Sequence, residues 1–308
     1  MAAPIKKALV APAIALLVVI LGILLAPTIG LVRVLSVELY AYPDRVTEAE
    51  TQVDAVLAIR NDLPLGIRIG GGELRLVVDG LELARATIPA QTVGRGETSL
   101  LVSAVLNNSL IDELWYGHLS RGEKSRVKVE GVVNVDMLLG SVGIPVRWEA
   151  PVETRVFPVE VELNRELDLS VLGKVVVKSV RVELAGVTPS ETKLRILVTV
   201  NNQLRGVPLY VSGLVYSVGT ETMVLGYGEQ EYAKSIAPGE TDVLPFTGVI
   251  DNSKIPRLWC EHVRNGGKTK LLIKVWLKAE IAGRRVELFR DHPLTVSTEV
   301  RTKVFKYK

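Results

Sequence analysis

Cysteine and aromatic residues are scarce in this sequence of 308 residues. A single cysteine, Cys260, excludes an intrachain disulfide and a metal cage built from cysteine ligands. Because aromatic residues make up only 5% of the chain, any core must be built mainly from Val, Leu and Ile. The sequence therefore predicts a protein that is stabilised by aliphatic packing and carries neither a metal nor another cofactor.

An excess of charge of one sign is also nearly absent, since 37 basic residues face 34 acidic ones and the net charge is +3. Proteins that bind nucleic acid cluster Lys and Arg on one face, so we expect no nucleic-acid partner. Hydrophobic residues make up 48% and charged residues 23%, a balance typical of globular rather than disordered chains. The length predicts two domains of roughly 100–150 residues each.

A long uncharged run lies near the N-terminus, from residue 8 to residue 32. About 20 apolar residues span a bilayer, so the run predicts a retained transmembrane helix behind a short tail at residues 1–7. A cleaved signal peptide is the alternative, but its apolar region is only about 7–15 residues long. Lys6 and Lys7 precede the run, and Arg33 alone follows it closely. The run thus predicts a single-pass cell-membrane protein whose helix contacts membrane lipid. The excess of positive charge before the run predicts a cytoplasmic N-terminus and domains outside the cytoplasm.

The rest of the chain is a duplication. Five elements recur in the same order, among them Gly96-Glu97-Thr98 with Gly239-Glu240-Thr241, residues 56–61 with residues 196–201, and Trp115 and His118 with Trp259 and His262. The offset is 144 residues around the tryptophans and 140 in the earlier segment. Chance does not produce five matches in one order, so the sequence predicts two copies of one domain. The predicted boundaries are residues 33–156 for the first copy, 157–173 for an ordered linker, and 174–308 for the second copy with its basic tail.

The dominant period within each copy is two, which is typical of strands with one buried face. Residues 53–60 show this alternation. Asp79-Gly80 supplies the positive φ angles of a type I′ turn and predicts a hairpin. Gly131 interrupts a β-branched run and predicts a bulge, whereas residues 70–72, all glycine, predict a loop before the hairpin. Frequent turn signals without alternating helices predict an all-β fold of two tandem β-sandwiches.

One short helix is predicted in each copy. Ser109 with Asp112 forms a predicted capping box, and Ser253 stands in the corresponding place of the second copy. Apolar residues and one histidine then repeat at helical spacing and are predicted to be structural. They are Ile111, Leu114, Trp115 and His118 in the first copy, and Ile255, Leu258, Trp259 and His262 in the second.

The chemical inventory predicts no catalytic, cofactor-binding or metal-binding residue. His118 and His262 lie on an apolar stripe, where a packing histidine that bonds a loop is favoured over a metal or catalytic site. Cys260 replaces Tyr116 of the first copy, which argues against a required nucleophile. Asn107 begins an Asn-Asn-Ser sequon and is a possible glycosylation site outside the cytoplasm; helix capping is the other interpretation of this position.

The order of these elements resembles the WHy domain of the type 2 late-embryogenesis-abundant proteins. That family has a strand, an Asn-Pro-Asn turn, a second strand, a hairpin, a Gly-x-Thr-like turn, a short helix and closing strands. The turn corresponds here to Asn61 and Pro64 in the first copy and to Asn201 in the second, without the family's central proline. The resemblance covers roughly residues 32–154 and 175–298. It implies a fibronectin-III-like β-sandwich and a role in stress tolerance or binding at membranes, with no catalytic residues to transfer.

Two functional classes follow from the sequence, and an enzyme is not expected. The first is a stress-protective protein, or one that binds other proteins or the cell surface. The alternative is a lipid-binding or lipid-transfer module that receives a hydrocarbon chain in an apolar cleft. Small-molecule sites are concave and mostly apolar, so a cleft lined by Val, Leu and Trp would favour the lipid class. A tightly filled core would favour the first.

Overall fold

The computed structural model describes residues 31–137 and 140–308, which form an all-β fold with two short α-helices. The strands of the first copy are β1 (Val32–Val46), β2 (Glu50–Asn61), β3 (Ile67–Val78), β4 (Leu81–Ile88), β5 (Gln91–Val93), β6 (Gly96–Asn107), β7 (Lys124–Met137) and β8 (Gly140–Glu153). The strand that follows is β9 (Val159–Asp168). The strands of the second copy are β10 (Gly173–Val187), β11 (Glu191–Leu204), β12 (Leu209–Gly219), β13 (Val224–Ile236), β14 (Thr241–Asp251), β15 (Lys268–Ile281), β16 (Arg284–Leu288), β17 (Leu294–Arg301) and β18 (Phe305–Tyr307).

Each copy has one α-helix before its closing strands, after β6 in the first copy and after β14 in the second. The helices are α1 (Ile111–Ser120) and α2 (Ile255–Arg264), preceded by the 3-10 turns Asn108–Leu110 and Asn252–Lys254; a further 3-10 turn covers Ser170–Leu172. Both helices follow a strand directly, so each is fixed at the same end of its copy.

The strands form three sheets. In the first copy one curled sheet has the order β18-β1-β2-β6-β4-β3-β7-β8, with β5 paired to β3. The second copy has a four-stranded sheet, β14-β11-β10-β9, and a five-stranded sheet, β13-β12-β15-β16, in which β17 also pairs with β15. The buried faces of these sheets hold a core made mainly of Val, Leu and Ile, as the scarcity of aromatic residues predicts.

The register of the repeat differs by one residue from the sequence alignment in β2 and β11. Leu57 and Val198 are both fully buried, and each pairs at the equivalent position with its neighbouring strand. The offset in this strand is therefore 141 rather than 140, so Asn61 corresponds to Asn202 and not to Asn201. A one-residue slip moves every side chain of a strand to the opposite face, which makes the correction structurally important.

The hairpin prediction is confirmed, but the two glycine predictions are wrong. Asp79 and Gly80 have φ angles of 50° and 94° and connect β3 to β4. Gly131 lies in unbroken register with β3, where an added Cβ would lie 1.9 Å from the Glu73 carbonyl oxygen. Glycine is needed there for a close backbone approach, not for a bulge. Residues 70–72 belong to β3, and the irregular register lies there.

The two copies exchange their closing segments. β9 pairs antiparallel with β10, so the predicted linker is mostly a strand of the second copy's sheet. β18, at the other end of the chain, pairs in parallel with β1 of the first copy. The segment that ends each copy thus pairs with the first strand of the other copy. The core is continuous between the two copies.

The membrane predictions need correction. The predicted transmembrane helix at residues 8–32 lies outside the described residues except at its last two positions, and Val32 there begins β1. No helix in residues 31–137 and 140–308 is long and apolar enough to cross a bilayer. On that finding, neither the predicted attachment to membrane lipid through an N-terminal helix nor the predicted single-pass location with a cytoplasmic N-terminus is supported by the described residues.

Candidate functional site

The residue before each 3-10 turn caps the helical segment. Asn107 Oδ1 accepts hydrogen bonds from Ser109 N at 3.0 Å and Ser109 Oγ at 2.7 Å. Asp251 Oδ1 accepts the same pair from Ser253, at 3.1 and 2.6 Å. The predicted capping box is therefore wrong, because the serine hydroxyls donate instead of capping. Asn107 is exposed and performs the capping role; its glycosylation stays a prediction.

The helices hold the two copies together through two equivalent hydrogen bonds. Trp115 Nε1 in α1 donates to Thr192 Oγ1 of the second copy at 3.0 Å. Trp259 Nε1 in α2 donates to Thr51 Oγ1 of the first copy, also at 3.0 Å. These contacts are reciprocal, as in an isologous interface between two identical subunits. The packing role predicted for the tryptophans thus includes a bond across the copies.

The two threonines are functional positions that sequence analysis missed. Thr51 and Thr192 are completely buried, and each donates its hydroxyl to an asparagine Oδ1 at 2.8 Å, in Asn108 and Asn252 respectively. Each asparagine amide also donates to a carbonyl oxygen in the turn before the threonine's strand, that of Thr47 in the first copy and that of Thr188 in the second. The available signal was the recurrence of a threonine as the second residue of both strands.

A partly open cavity of about 160 Å³ lies between the copies. Its wall includes all eight predicted helix residues, namely Ile111, Leu114, Trp115, His118, Ile255, Leu258, Trp259 and His262. Further equivalent pairs come from the closing strands and the segments after them: Ser125 and Thr269, Val127 and Leu271, Val152 and Val300, Thr154 and Thr302, and Val156 and Val304. The duplication therefore builds most of this wall from matched residues of both copies.

The cavity extends further into the first copy than into the second. Leu76, Leu83 and Leu106 line it from the first-copy sheet. Their equivalents in the second copy are Val218, Leu225 and Ile250, which do not line it and are at most 1% exposed. The second copy is therefore filled where the first leaves space beneath its helix.

Each histidine is held by two hydroxyl groups. His118 Nδ1 lies 2.9 Å from Ser125 Oγ, and its Nε2 lies 2.9 Å from Thr154 Oγ1. His262 repeats this geometry with Thr269 at 2.8 Å and Thr302 at 2.9 Å. The partners lie in the strand after each helix and just beyond the closing strand. Both ring nitrogens of each histidine are therefore occupied, consistent with a packing role.

A buried glutamate extends the first of these networks. Glu123 accepts from Thr154 Oγ1 at 2.7 Å and from the backbone N–H groups of Val156 and Phe157 at 2.6 and 2.8 Å. Because Thr154 gives its hydrogen to Glu123, it must accept from His118. The network therefore assigns the His118 hydrogen to Nε2 and makes Nδ1 the acceptor of the Ser125 hydroxyl.

Burial favours the neutral form of both imidazoles. It lowers the pKa of His118 below the ordinary value of 6.5, although the charge of Glu123 opposes the shift. It lowers the pKa of His262 to about 4, since the charged ring would lose its hydration in this apolar setting. The Trp259 ring stacks on His262 with 5.6 Å between ring centres and contributes to that burial.

The arrangement offers little chemistry beyond apolar contact. A hydroxyl beside an imidazole is the first requirement of nucleophilic catalysis, and Ser125 with His118 meets it. The same hydroxyl–imidazole–hydroxyl set is built again around His262, where Gly267 replaces Glu123 and no acid follows. A set that recurs without its acid is better explained by packing. Within residues 31–137 and 140–308, no cluster of three or more His, Cys, Asp or Glu side chains could hold a metal.

Comparisons with known proteins place the chain near several solved structures at low similarity. A protein from Archaeoglobus fulgidus is 26% identical, with 41% of this chain and 98% of that chain covered and a TM-score of 0.37. AT1g01470 from Arabidopsis thaliana is 17% identical, covering 40% and 80%, with a TM-score of 0.32. A glycosyl hydrolase family 2 member from Bacteroides cellulosilyticus is 10% identical, covering 82% and 29%, with a TM-score of 0.25. TM-scores this low identify neither a fold family nor a function. Neither a protein-family model nor a curated protein matches the chain.

Proposed function

We propose that this protein is a non-enzymatic binding protein that receives an apolar molecule in the cavity between its two copies. The observation that carries the proposal is the cavity of about 160 Å³, walled mainly by Leu, Val, Ile and Trp side chains. Enclosed cavities of roughly this volume with apolar linings bind small apolar molecules such as benzene. Filling the space restores the dispersion contacts that the lining side chains lack.

Between the two classes that the sequence leaves open, the cavity favours the one that binds an apolar ligand in a cleft. A protein that acts through its outer surface alone does not need a partly open cavity between its copies, where lost packing costs stability. The wall comes from both copies, so the duplication itself is needed to form the site. Ligand that occupies the cavity would stabilise the folded chain by mass action.

The non-enzymatic assignment is supported by the paired construction of the histidine sites. The two histidines have depressed pKa values, but burial causes both shifts and each ring nitrogen already has a hydroxyl partner. A perturbed pKa marks a catalytic site only when the group can reach a substrate atom. Here the imidazoles are better suited to closing the wall than to exchanging protons with a ligand.

The finer assignment to two WHy-like domains, each a fibronectin-III-like sandwich, forms part of the same proposal. It is supported by the turn after β2 and its counterpart after β11. Asn61 Oδ1 accepts from Leu63 N, and Asn202 Oδ1 accepts from Leu204 N, both at 3.0 Å. Both asparagines thus form an Asx turn where the family has its Asn-rich turn.

The proposal is tested by titrating the full chain with bromobenzene and recording tryptophan fluorescence. Trp115 and Trp259 line the cavity, so a bromine atom bound there should quench their emission in a saturable way. Val152 and Val300 are equivalent, half-buried lining residues. We expect the double variant Val152→Phe, Val300→Phe to fill the space and lose the saturable quenching.

The matched control for this experiment is Val243→Phe. Val243 is 50% exposed on β14 and does not line the cavity, so the larger ring adds bulk without entering the site. Circular dichroism and thermal unfolding establish that all variants fold, because overpacking costs about 1–3 kcal/mol. Quenching that never saturates, or that is equal in wild type and the double variant, would refute binding in this cavity.

A further inference from the structure

The polar side chains that reach the cavity on the first-copy side are already paired with one another. Both ring nitrogens of His118 and of His262 face hydroxyl groups of the protein. Ser125 Oγ, which faces His118, also accepts a long bond from Arg121 Nη2 at 3.4 Å. Thr154 both accepts and donates within its network. A polar group on a ligand bound beside the His118 network would therefore lose its hydration without gaining a partner, which is unfavourable.

The volume sets the size of the group that fits. A cavity of about 150 Å³ lined by aliphatic and aromatic side chains binds a benzene ring, and the volume here is about 160 Å³. Trp115, Trp259 and Phe305 contribute aromatic surface to the wall. Trp259 and Phe305 meet edge-on with ring centres 6.3 Å apart, an arrangement that a third ring can join through its own edge or face.

The repeat also shows on which side the space lies. Leu83 and Leu225 are equivalent leucines at the same register irregularity, in β4 and β13 respectively. Leu83 lines the cavity, whereas Leu225 is packed and does not. The cavity between the copies therefore extends on the first-copy side, between α1 and the β3–β4 hairpin, into space that is filled in the second copy.

We propose that the cavity receives a neutral aromatic ring of about the size of benzene, without a polar substituent, seated on the first-copy side. This inference rests on the proposed function and specifies its ligand. It distinguishes this site from a site that binds a fatty acid or another amphipathic molecule, whose polar group protein side chains must recognise.

The ligand class is tested by isothermal titration of the full chain at about pH 7 with benzene, cyclohexane, phenol and benzoate. We expect benzene to bind, phenol to bind about tenfold more weakly because its hydroxyl finds no partner, and benzoate not to bind. Cyclohexane should bind no better than benzene. Phenol or benzoate binding as tightly as benzene, or cyclohexane binding more tightly, overturns the inference while leaving a binding function. Failure of all four ligands overturns the proposed function as well.

The position of the bound ring within the cavity is tested by the matched variants Leu83→Ala and Leu225→Ala. Truncation of Leu83 enlarges the cavity, so the affinity for naphthalene relative to benzene should rise about tenfold. Truncation of Leu225 removes the same atoms from an equivalent place outside the cavity and should leave that ratio unchanged. Should either variant fail to fold, the less severe truncations Leu83→Val and Leu225→Val give the same comparison. An equal ratio in both members of a pair would overturn the assignment to the first copy.

Discussion

Replacing Trp259 by alanine should lower the free energy of unfolding by about 3–5 kcal/mol, the usual cost of deleting a large buried aromatic side chain. The ring is only half-buried, which places the expected value near the lower end. It packs against His262 and Phe305 and donates to Thr51 of the other copy. The variant therefore loses aromatic packing and a bond that joins the two copies, and urea denaturation of the full chain measures the loss.

Two further variants identify the cause of this loss. Trp259→Phe keeps an aromatic ring but removes the donor to Thr51, so we expect a loss of about 1 kcal/mol. Trp276 also carries a partner, the Arg290 carbonyl oxygen, but its side chain lies outside the core. Trp276→Ala should therefore cost less than about 1 kcal/mol. Equal losses in the two alanine variants would contradict the structural role assigned to Trp259.

Stability should fall as the pH is lowered from about 6.5 toward 4. Burial lowers the pKa of His262 to about 4 from 6.5, so in this interval the unfolded chain binds a proton that the folded chain does not. Stability therefore rises with pH across the interval and is fully present above about pH 6.5. A shift of this size corresponds to about 3 kcal/mol. His118 contributes in the same direction, since its pKa is also lowered.

The measurement is the free energy of unfolding by urea at a series of pH values. His262→Gln removes the titrating group and should flatten the dependence between about pH 6.5 and 4. The matched control is His292→Gln, which changes an exposed histidine and should leave the slope as in the wild type. A wild-type slope that persists in His262→Gln would show that another group causes the loss.

The sequence predicts the local elements well because their causes are local. A type I′ turn requires positive φ angles that Asp79-Gly80 readily adopts, and the structure has them. The helix residues repeat at a spacing that places them on one face, and the structure places that face along the cavity. The all-β class likewise follows from the alternation within single strands.

Register and contacts between the copies could not be predicted in the same way. Val56 and Leu197 are apolar residues on the less buried face of their strands, so both possible registers of β2 and β11 show apolar alternation. Only the pairing with neighbouring strands selects the offset of 141. The bond from Trp115 to Thr192 joins residues 77 positions apart in sequence, and no local pattern encodes it.

The cavity is the least predictable feature, because it is a property of packing between elements. Leu83 and Leu225 are the same residue type at equivalent positions, yet only Leu83 borders empty space. The difference arises from the side chains that surround each leucine, not from the leucines. Glu123 is a second example, since its three hydrogen bonds depend on a segment more than 30 residues later.

Binding between the copies is tested most directly by intermolecular nuclear Overhauser effects between benzene and methyl groups of the full chain. Leu114 and Leu258 line the cavity from opposite copies, so we predict effects from bound benzene to methyl groups of both residues. Val243, exposed on β14, should show none. Effects confined to exposed methyl groups such as those of Val243, or none to Leu114 and Leu258 at saturating benzene, would contradict the account.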